Sequence, residues 1–277
     1  MVIPGINQEL LLLLNKVYFD TGCDFRQYKE TTLERRIERR LHATNARTYA
    51  DYLAVLDSDS SEYDRLLSTL TIKVTGFFRE LDAFSFIEKD VLPEVLSLAE
   101  RSGRRVIRIW SAGCASGEEP YSLAILVCEI LGEKVGDFDI AIYGTDIDRQ
   151  CLLTAERGRY GVEAVSGLTE VLMDKYFSEN GEYSVRPELS RLVRFYQHNL
   201  ASDPPLLDLD LIVCRNVLIY FTRDLQERVF MNFHRGLRSD GFLFLGKAET
   251  LVGRVASLFR PISKEWRIYR KLPEAGG

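Results

Sequence analysis

From Arg104 onward, short apolar runs alternate with longer amphipathic ones. That alternation restricts the fold more than any other feature. VIRIWSA (106–112), DIAIYGTD (139–146), FYQHNL (195–200), LDLIVCRN (209–216) and GFLFLG (241–246) are rich in β-branched or aromatic residues. Helical patterns at 118–131, 149–157 and 222–238 separate most of them. Strands that are apolar throughout, in alternation with helices, predict a parallel sheet covered by helices on both faces. The stretch 158–194 breaks the pattern, with one helical piece at 168–177 and a hairpin-like ENGEYS, and reads as a small inserted subdomain. WRIYRKL (266–272) is expected as a last strand at the sheet edge.

Before residue 100 the pattern is helical. Leu33, Ile37 and Leu41 make one apolar stripe, flanked by Arg35/Arg39 and Arg36/Arg40. The predicted division is a helical domain with the start of a linker over 1–82, then an α/β domain over 83–277. Residues 26–47 carry seven Lys/Arg against three Glu, in a chain of net charge -5. A basic patch inside an acidic protein suggests an acidic partner surface, and argues against nucleic acid as a general partner. Five cysteines without a CxxC pair read as reduced thiols of a cytoplasmic protein. Three dispersed histidines give no zinc spacing, so no metal is expected. The first nineteen residues lack a basic flank and hold only five consecutive leucines, so neither a signal peptide nor membrane insertion is expected.

Chemistry concentrates where strands end. In RIWSAGCASGEEPYS (108–122) a strand enters a loop of small residues, and a helix opens on Glu118 and Glu119. Gly113, Ala115 and Gly117 allow close approach of a ligand to the backbone. The paired acids would repel a pyrophosphate but suit an ammonium or a ribose hydroxyl. A tight strand-to-helix turn with acids in its first helical turn is the purely structural counterpart. Asp146 ends the next strand, where an acidic residue commonly accepts ribose hydroxyls. Asp146 or Asp148 could equally cap the following helix. Arg215 and Asn216 end a buried strand at the same sheet edge, as ligand contacts or as a loop anchor. Three near-motifs are set aside. Gly241–Lys247 is not a phosphate loop, because FLFL is a strand and Ala248 cannot bind magnesium. DPPL (203–206) lacks the aromatic face of a base-flipping methylase. SAGCASG is not a nucleophile elbow.

Six segments in order resemble the chemotaxis receptor methyltransferase (CheR) family: TIKVTGFFRE (71–80), WSAGCASGEEPYSLA (110–124), TDID (145–148), HNL (198–200), CRNVLIYF (214–221) and DGFLFLGKAE (240–249). The resemblance spans about residues 10–271. It implies a Rossmann-like class I methyltransferase with a mostly parallel sheet, preceded by a small all-helical N-terminal domain. The implied activity moves a methyl group from S-adenosylmethionine to glutamate carboxylates on the cytoplasmic methylation helices of chemoreceptors, leaving S-adenosylhomocysteine. The implied cofactor contacts are Thr75, Arg79, Gly113, Glu119 at the ammonium, Asp146 at the ribose, Asn199 and Leu200 at the adenine, and Arg215 with Asn216. Arg79 and Tyr220 resemble the pair beside the reacting methyl. Arg36, Arg39 and Arg40 are the expected contacts to the substrate helix.

Two departures stand out. Lys73 occupies a position where the family often has Asn, and Ala248 one where Ser is usual. The inserted stretch also looks short around 178–184, which argues against tethering to a receptor C-terminal pentapeptide. The expected protein is a monomer associating with membrane receptor arrays. A glutamate acceptor is already ionised at neutral pH, so no general base is required. Two other readings use the same residues: a non-catalytic cofactor-binding adaptor with a site altered by Lys73, and a methylase of another acceptor.

Overall fold

The computed structural model describes residues 7–71 and 73–273. Four helices come first: α1 (Gln8–Thr21), α2 (Glu30–Thr44), α3 (Tyr49–Ser58) and α4 (Ser61–Leu70). Their ends follow local chemistry. The Asn7 side chain caps α1, Thr48 and Asp51 form a capping box on α3, and left-handed Gly22 and Asn45 close α1 and α2. Leu10, Leu13, Val17, Leu33, Ile37, Tyr52, Leu56 and Leu66 form their shared core. Glu62 sits within that bundle, only 1% exposed. The Arg40 guanidinium donates to both its oxygens at 2.7 Å, and the Tyr52 hydroxyl donates at 2.6 Å.

A linker leads to α5 (Leu81–Phe86), a π-helical turn (Ile87–Val91) and α6 (Leu92–Arg101). The α/β domain then runs β1 (Val106–Ala112), α7 (Glu118–Leu131), β2 (Asp139–Asp146) and α8 (Arg149–Arg157). Next comes the irregular stretch: β3 (Arg159–Tyr160), α9 (Val162–Val165), α10 (Glu170–Tyr176), β4 (Phe177–Glu179), β5 (Tyr183–Val185) and α11 (Pro187–Ser190). Strands β3, β5 and β4 make a separate antiparallel sheet, with Gly181 left-handed in the β4–β5 turn. The chain returns through β6 (Val193–Gln197), β7 (Leu209–Cys214), α12 (Arg223–Gly236), β8 (Leu237–Leu245), β9 (Phe259–Ser263) and β10 (Ile268–Lys271).

The main sheet is ordered β6-β2-β1-β7-β8-β10-β9. Its first five strands are parallel, and β10 runs antiparallel to both neighbours. This is the expected Rossmann-like, mostly parallel sheet, with an all-helical domain before it. Alternating side chains feed two cores. Ile107, Ile109, Leu211, Val213, Phe242 and Phe244 pack against α6 and α7, while Trp110, Ile212, Leu243 and Leu245 pack against α12. One expectation is corrected. The WRIYRKL segment supplies β10, one strand in from the edge, and FRPIS (259–263) forms the edge strand. Pro261 lacks an amide hydrogen and pairs with Tyr269, a position that only an edge strand tolerates well.

The two domains meet beside the C-terminal ends of the strands. The backbone N–H of Lys29 donates to Tyr220 O at 2.8 Å, and that of Thr222 to Gln27 O at 2.9 Å. The rings of Tyr28 and Phe221 stack edge-on at 4.7 Å. No described helix is long and apolar enough to cross a membrane.

Candidate active site

The loop after β1 is held from two sides. Thr145 O accepts the N–H groups of Gly113 (2.7 Å) and Cys114 (2.9 Å). Gly113, Ala115 and Gly117 all take left-handed backbone conformations. A Cβ on Gly113 would stand 2.4 Å from Val217, and one on Gly117 2.7 Å from Ala155. The small residues therefore let this loop touch both the 215–220 loop and α8.

Asp146, the last residue of β2, and Asp148 just beyond it take different partners. Asp148 caps α8, accepting from Gln150 and Cys151, and also holds the Thr71 hydroxyl (3.0 Å) and the Lys73 ammonium (2.9 Å). Burial pushes its carboxyl up, but those partners outweigh it and the net shift is downward. Asp146 spends one lone pair per oxygen on the N–H groups of Ala115 and Asp148, both at 2.9 Å. Burial holds its carboxyl above the ordinary range, and it keeps acceptor capacity toward the adjoining cavity.

A second cluster surrounds Arg215, whose side chain is 2% exposed. Its guanidinium bridges Glu80 at 2.7 Å and Glu119 at 3.4 Å, donates to Arg79 O at 2.9 Å, and lies over the rings of Phe244 and Phe84. Glu119 also accepts from Ser111 at 2.7 Å, and burial raises its carboxyl. These bonds pin a linker in which Phe78 and Glu80 are left-handed, an uncommon state for side chains of this size. The Phe78 N–H donates to the Ser122 hydroxyl at 3.0 Å, and the Ser116 hydroxyl donates to Glu118 at 2.9 Å. Arg79 is thereby presented at the cavity, its own guanidinium bonded to Val74 O at 2.6 Å.

Two chambers open here. One, of about 640 Å³, is lined mainly by apolar groups: Tyr28, Leu70, Ile147, Leu200, Val217 and Phe221, with Asp146 and Asn199 among them. The other, of about 800 Å³, is polar and charged, lined by Thr75, Arg79, Glu119 and Arg215. Gly113, Ala115, Asn216, Val217 and Tyr220 border both. The ten residues expected from sequence at the cofactor and the reacting methyl thus lie around one bipartite cavity. Within it, Asn199 Nδ2 and Asn216 Oδ1 are buried without a partner.

Arg36, Arg39 and Arg40 are placed differently. Arg40 is committed to Glu62. Arg36 donates to the Thr69 and Thr71 carbonyls (2.6 and 3.2 Å), tying α2 to the linker. Arg39 is exposed, as is Arg35. Lys73 lines the apolar chamber, but its ammonium is held by Asp148 and by Ser68 at 2.8 Å.

Sequence reading assigned Glu249 no role. Its carboxylate accepts four N–H groups, from Gly246, Asn216, Val217 and Leu218, at 2.7–3.0 Å. It therefore shapes the loop that carries Asn216, Val217 and Tyr220. The segment 240–249 marked it, yet nothing in a linear pattern says which backbone a carboxylate will serve. Tyr28 and Leu70, which reach the cavity from the helical domain, carried no signal at all.

A family model described as "CheR methyltransferase, SAM binding domain" matches residues 73–268, and one described as "CheR methyltransferase, all-alpha domain" matches residues 8–71. A chemotaxis protein methyltransferase of Listeria innocua is 35% identical over 252 residues, covering 91% of this chain and 93% of that protein. The chemotaxis protein methyltransferase of Listeria monocytogenes matches with the same identity and coverage. A 104.1 kDa protein of Rhodobacter capsulatus is 36% identical over 90% of this chain; the chain spans only 26% of its length.

Proposed function

The chain belongs to the CheR methyltransferase family, and we propose that it methylates glutamate carboxylates of chemoreceptors, forming glutamyl methyl esters. The observation that carries this reading is the bipartite cavity. S-adenosylmethionine has a flat aromatic base with a polar edge, a ribose, a cationic sulfur and a charged amino-acid tail. The residues present fit each part. The apolar chamber, with the unpartnered amide of Asn199, suits the adenine, and Asp146 retains acceptor capacity for ribose hydroxyls. Glu119 in the polar chamber suits the ammonium. Gly113, whose missing side chain lets its loop close on Val217, borders both chambers.

When bound, S-adenosylmethionine supplies a methyl group on a sulfonium, which departs as S-adenosylhomocysteine. The chain's own residues do the positioning. Arg79 and Tyr220, both at the polar chamber, orient the incoming carboxylate. The glutamate is ionised at neutral pH, so no proton need be removed. Holding two reactants in line can supply roughly 7–11 kcal/mol of the barrier. The clamped linker and the Glu249-held loop keep that alignment rigid. Because Lys73 is engaged by Asp148, its presence does not favour the non-catalytic reading.

The Listeria relatives are named chemotaxis protein methyltransferases, which supports receptors as partners; a cytoplasmic location beside receptor arrays belongs to the same proposal. With Arg36 and Arg40 committed within the protein, Arg35 and Arg39 are the exposed cations of α2 for an acidic receptor helix. The double charge reversal Arg35→Glu/Arg39→Glu is expected to raise the KM for receptor about 5- to 20-fold and leave S-adenosylhomocysteine affinity within twofold. An unchanged KM would remove α2 from substrate recognition, and equal loss of both would point to misfolding. The function itself is tested by transfer of radiolabelled methyl from S-adenosylmethionine to membranes bearing chemoreceptors. Base-labile label on the receptor is the expected result. Cofactor binding with no receptor label would point to another acceptor.

A further inference from the structure

The imidazole of His198 is an unassigned polar group of the apolar chamber. Its Nε2 lies 2.9 Å from the carbonyl oxygen of Pro204. A carbonyl can only accept, so Nε2 carries the proton and, in the neutral ring, Nδ1 is an acceptor. That Nδ1 is buried and has no partner in the protein. The ring is fixed on its other sides. It packs edge-on against Trp110, 5.2 Å between centroids, and its backbone N–H donates to Asp146 O at 3.0 Å. The segment Asp203–Leu206, set aside above as a methylase near-motif, has a different task. Its Pro204 carbonyl sets the His198 tautomer, and Asp203 accepts the Asn199 N–H at 2.8 Å.

We propose that His198 is a specificity-determining residue whose Nδ1 accepts a hydrogen bond from the exocyclic amine of adenine. A buried acceptor left unpaired is costly, and a ligand that offers a donor there relieves the cost. A base that offers a carbonyl instead sets two acceptors against each other. The inference rests on the adenosyl site proposed above, and it names how that site tells one purine from another.

The test is isothermal titration of the full chain with S-adenosylhomocysteine and with S-inosylhomocysteine, whose base bears a carbonyl in place of the amine. The wild type is expected to prefer the adenosyl ligand by about 30-fold or more. In His198→Leu the preference should fall at least about 10-fold, chiefly through weaker adenosyl binding. His198→Gln, which restores an acceptor, should recover part of it. Undiminished preference in His198→Leu overturns the proposal while leaving the adenosyl site intact. If His198→Leu fails to fold, an unaltered preference in a folded His198→Phe does the same. Failure of the wild type to bind either ligand overturns the adenosyl site instead.

Discussion

Replacing Arg215 by methionine is expected to lower folding stability by about 3–5 kcal/mol, the cost of breaking a buried ion pair from one side. The guanidinium is nearly inaccessible, faces Glu119 and Glu80, and lies over two phenyl rings. Methionine fills much of the volume but takes from the buried Glu119 its ion-pair partner. For a chain of this size the midpoint of thermal unfolding should fall on the order of 10 °C. The pH dependence follows from sign. Burial already raises the Glu119 carboxyl, and loss of Arg215 removes the next strongest influence, which lowers it. A carboxyl raised in the folded state favours folding when protonated and costs stability as pH rises through its raised value. The deficit of the variant should therefore be largest at neutral pH and shrink on acidification toward the carboxylate range. Denaturant unfolding at several pH values measures it, and a deficit independent of pH would show that packing, not charge, is what Arg215 contributes.

Arg79 is expected to behave in the opposite way, although it is the residue whose carbonyl Arg215 holds. Among the described residues its guanidinium bonds one backbone carbonyl, that of Val74, so Arg79→Ala should change stability by less than about 1 kcal/mol. Turnover should fall about 100- to 1,000-fold, the range seen when one charge-stabilising donor is taken from a reacting site. Arg79→Lys keeps the charge and loses the planar fork, and should fall between the two. Turnover of Arg79→Ala on receptor membranes, beside its unfolding midpoint, separates the cases. Near-native turnover would remove Arg79 from the reaction. A joint collapse of stability and turnover would make it a linker brace like Arg215.

The legible and illegible parts of this molecule differ for physical reasons. Helices α7 and α8 and the strands β1, β2 and β7 could be read because their periodicity and caps are local properties of the chain. The Asp146/Asp148 pair announced a cap by sitting before a helix, without saying which of them supplies it, and the small residues 113–117 announced a tight approach. Strand β9 could not be read, since FRPIS is largely exposed on an edge and contains a proline. Long-range pairings were equally hidden. The spacing of Arg36, Arg39 and Arg40 says that they share a flank of α2, but not that two of them are consumed by Thr69, Thr71 and Glu62. Likewise nothing in the string 214–221 reveals that Glu249 gathers its amides.

Methyl transfer by this chain requires an adenosyl sulfonium seated between the 113–117 loop and Asp146. A crystal structure of the full chain with S-adenosylhomocysteine tests this most directly. The base is expected in the chamber of Asn199 and Leu200, the ribose on Asp146, and the amino-acid tail beside Glu119. A ligand seated elsewhere, with both chambers open, would contradict it.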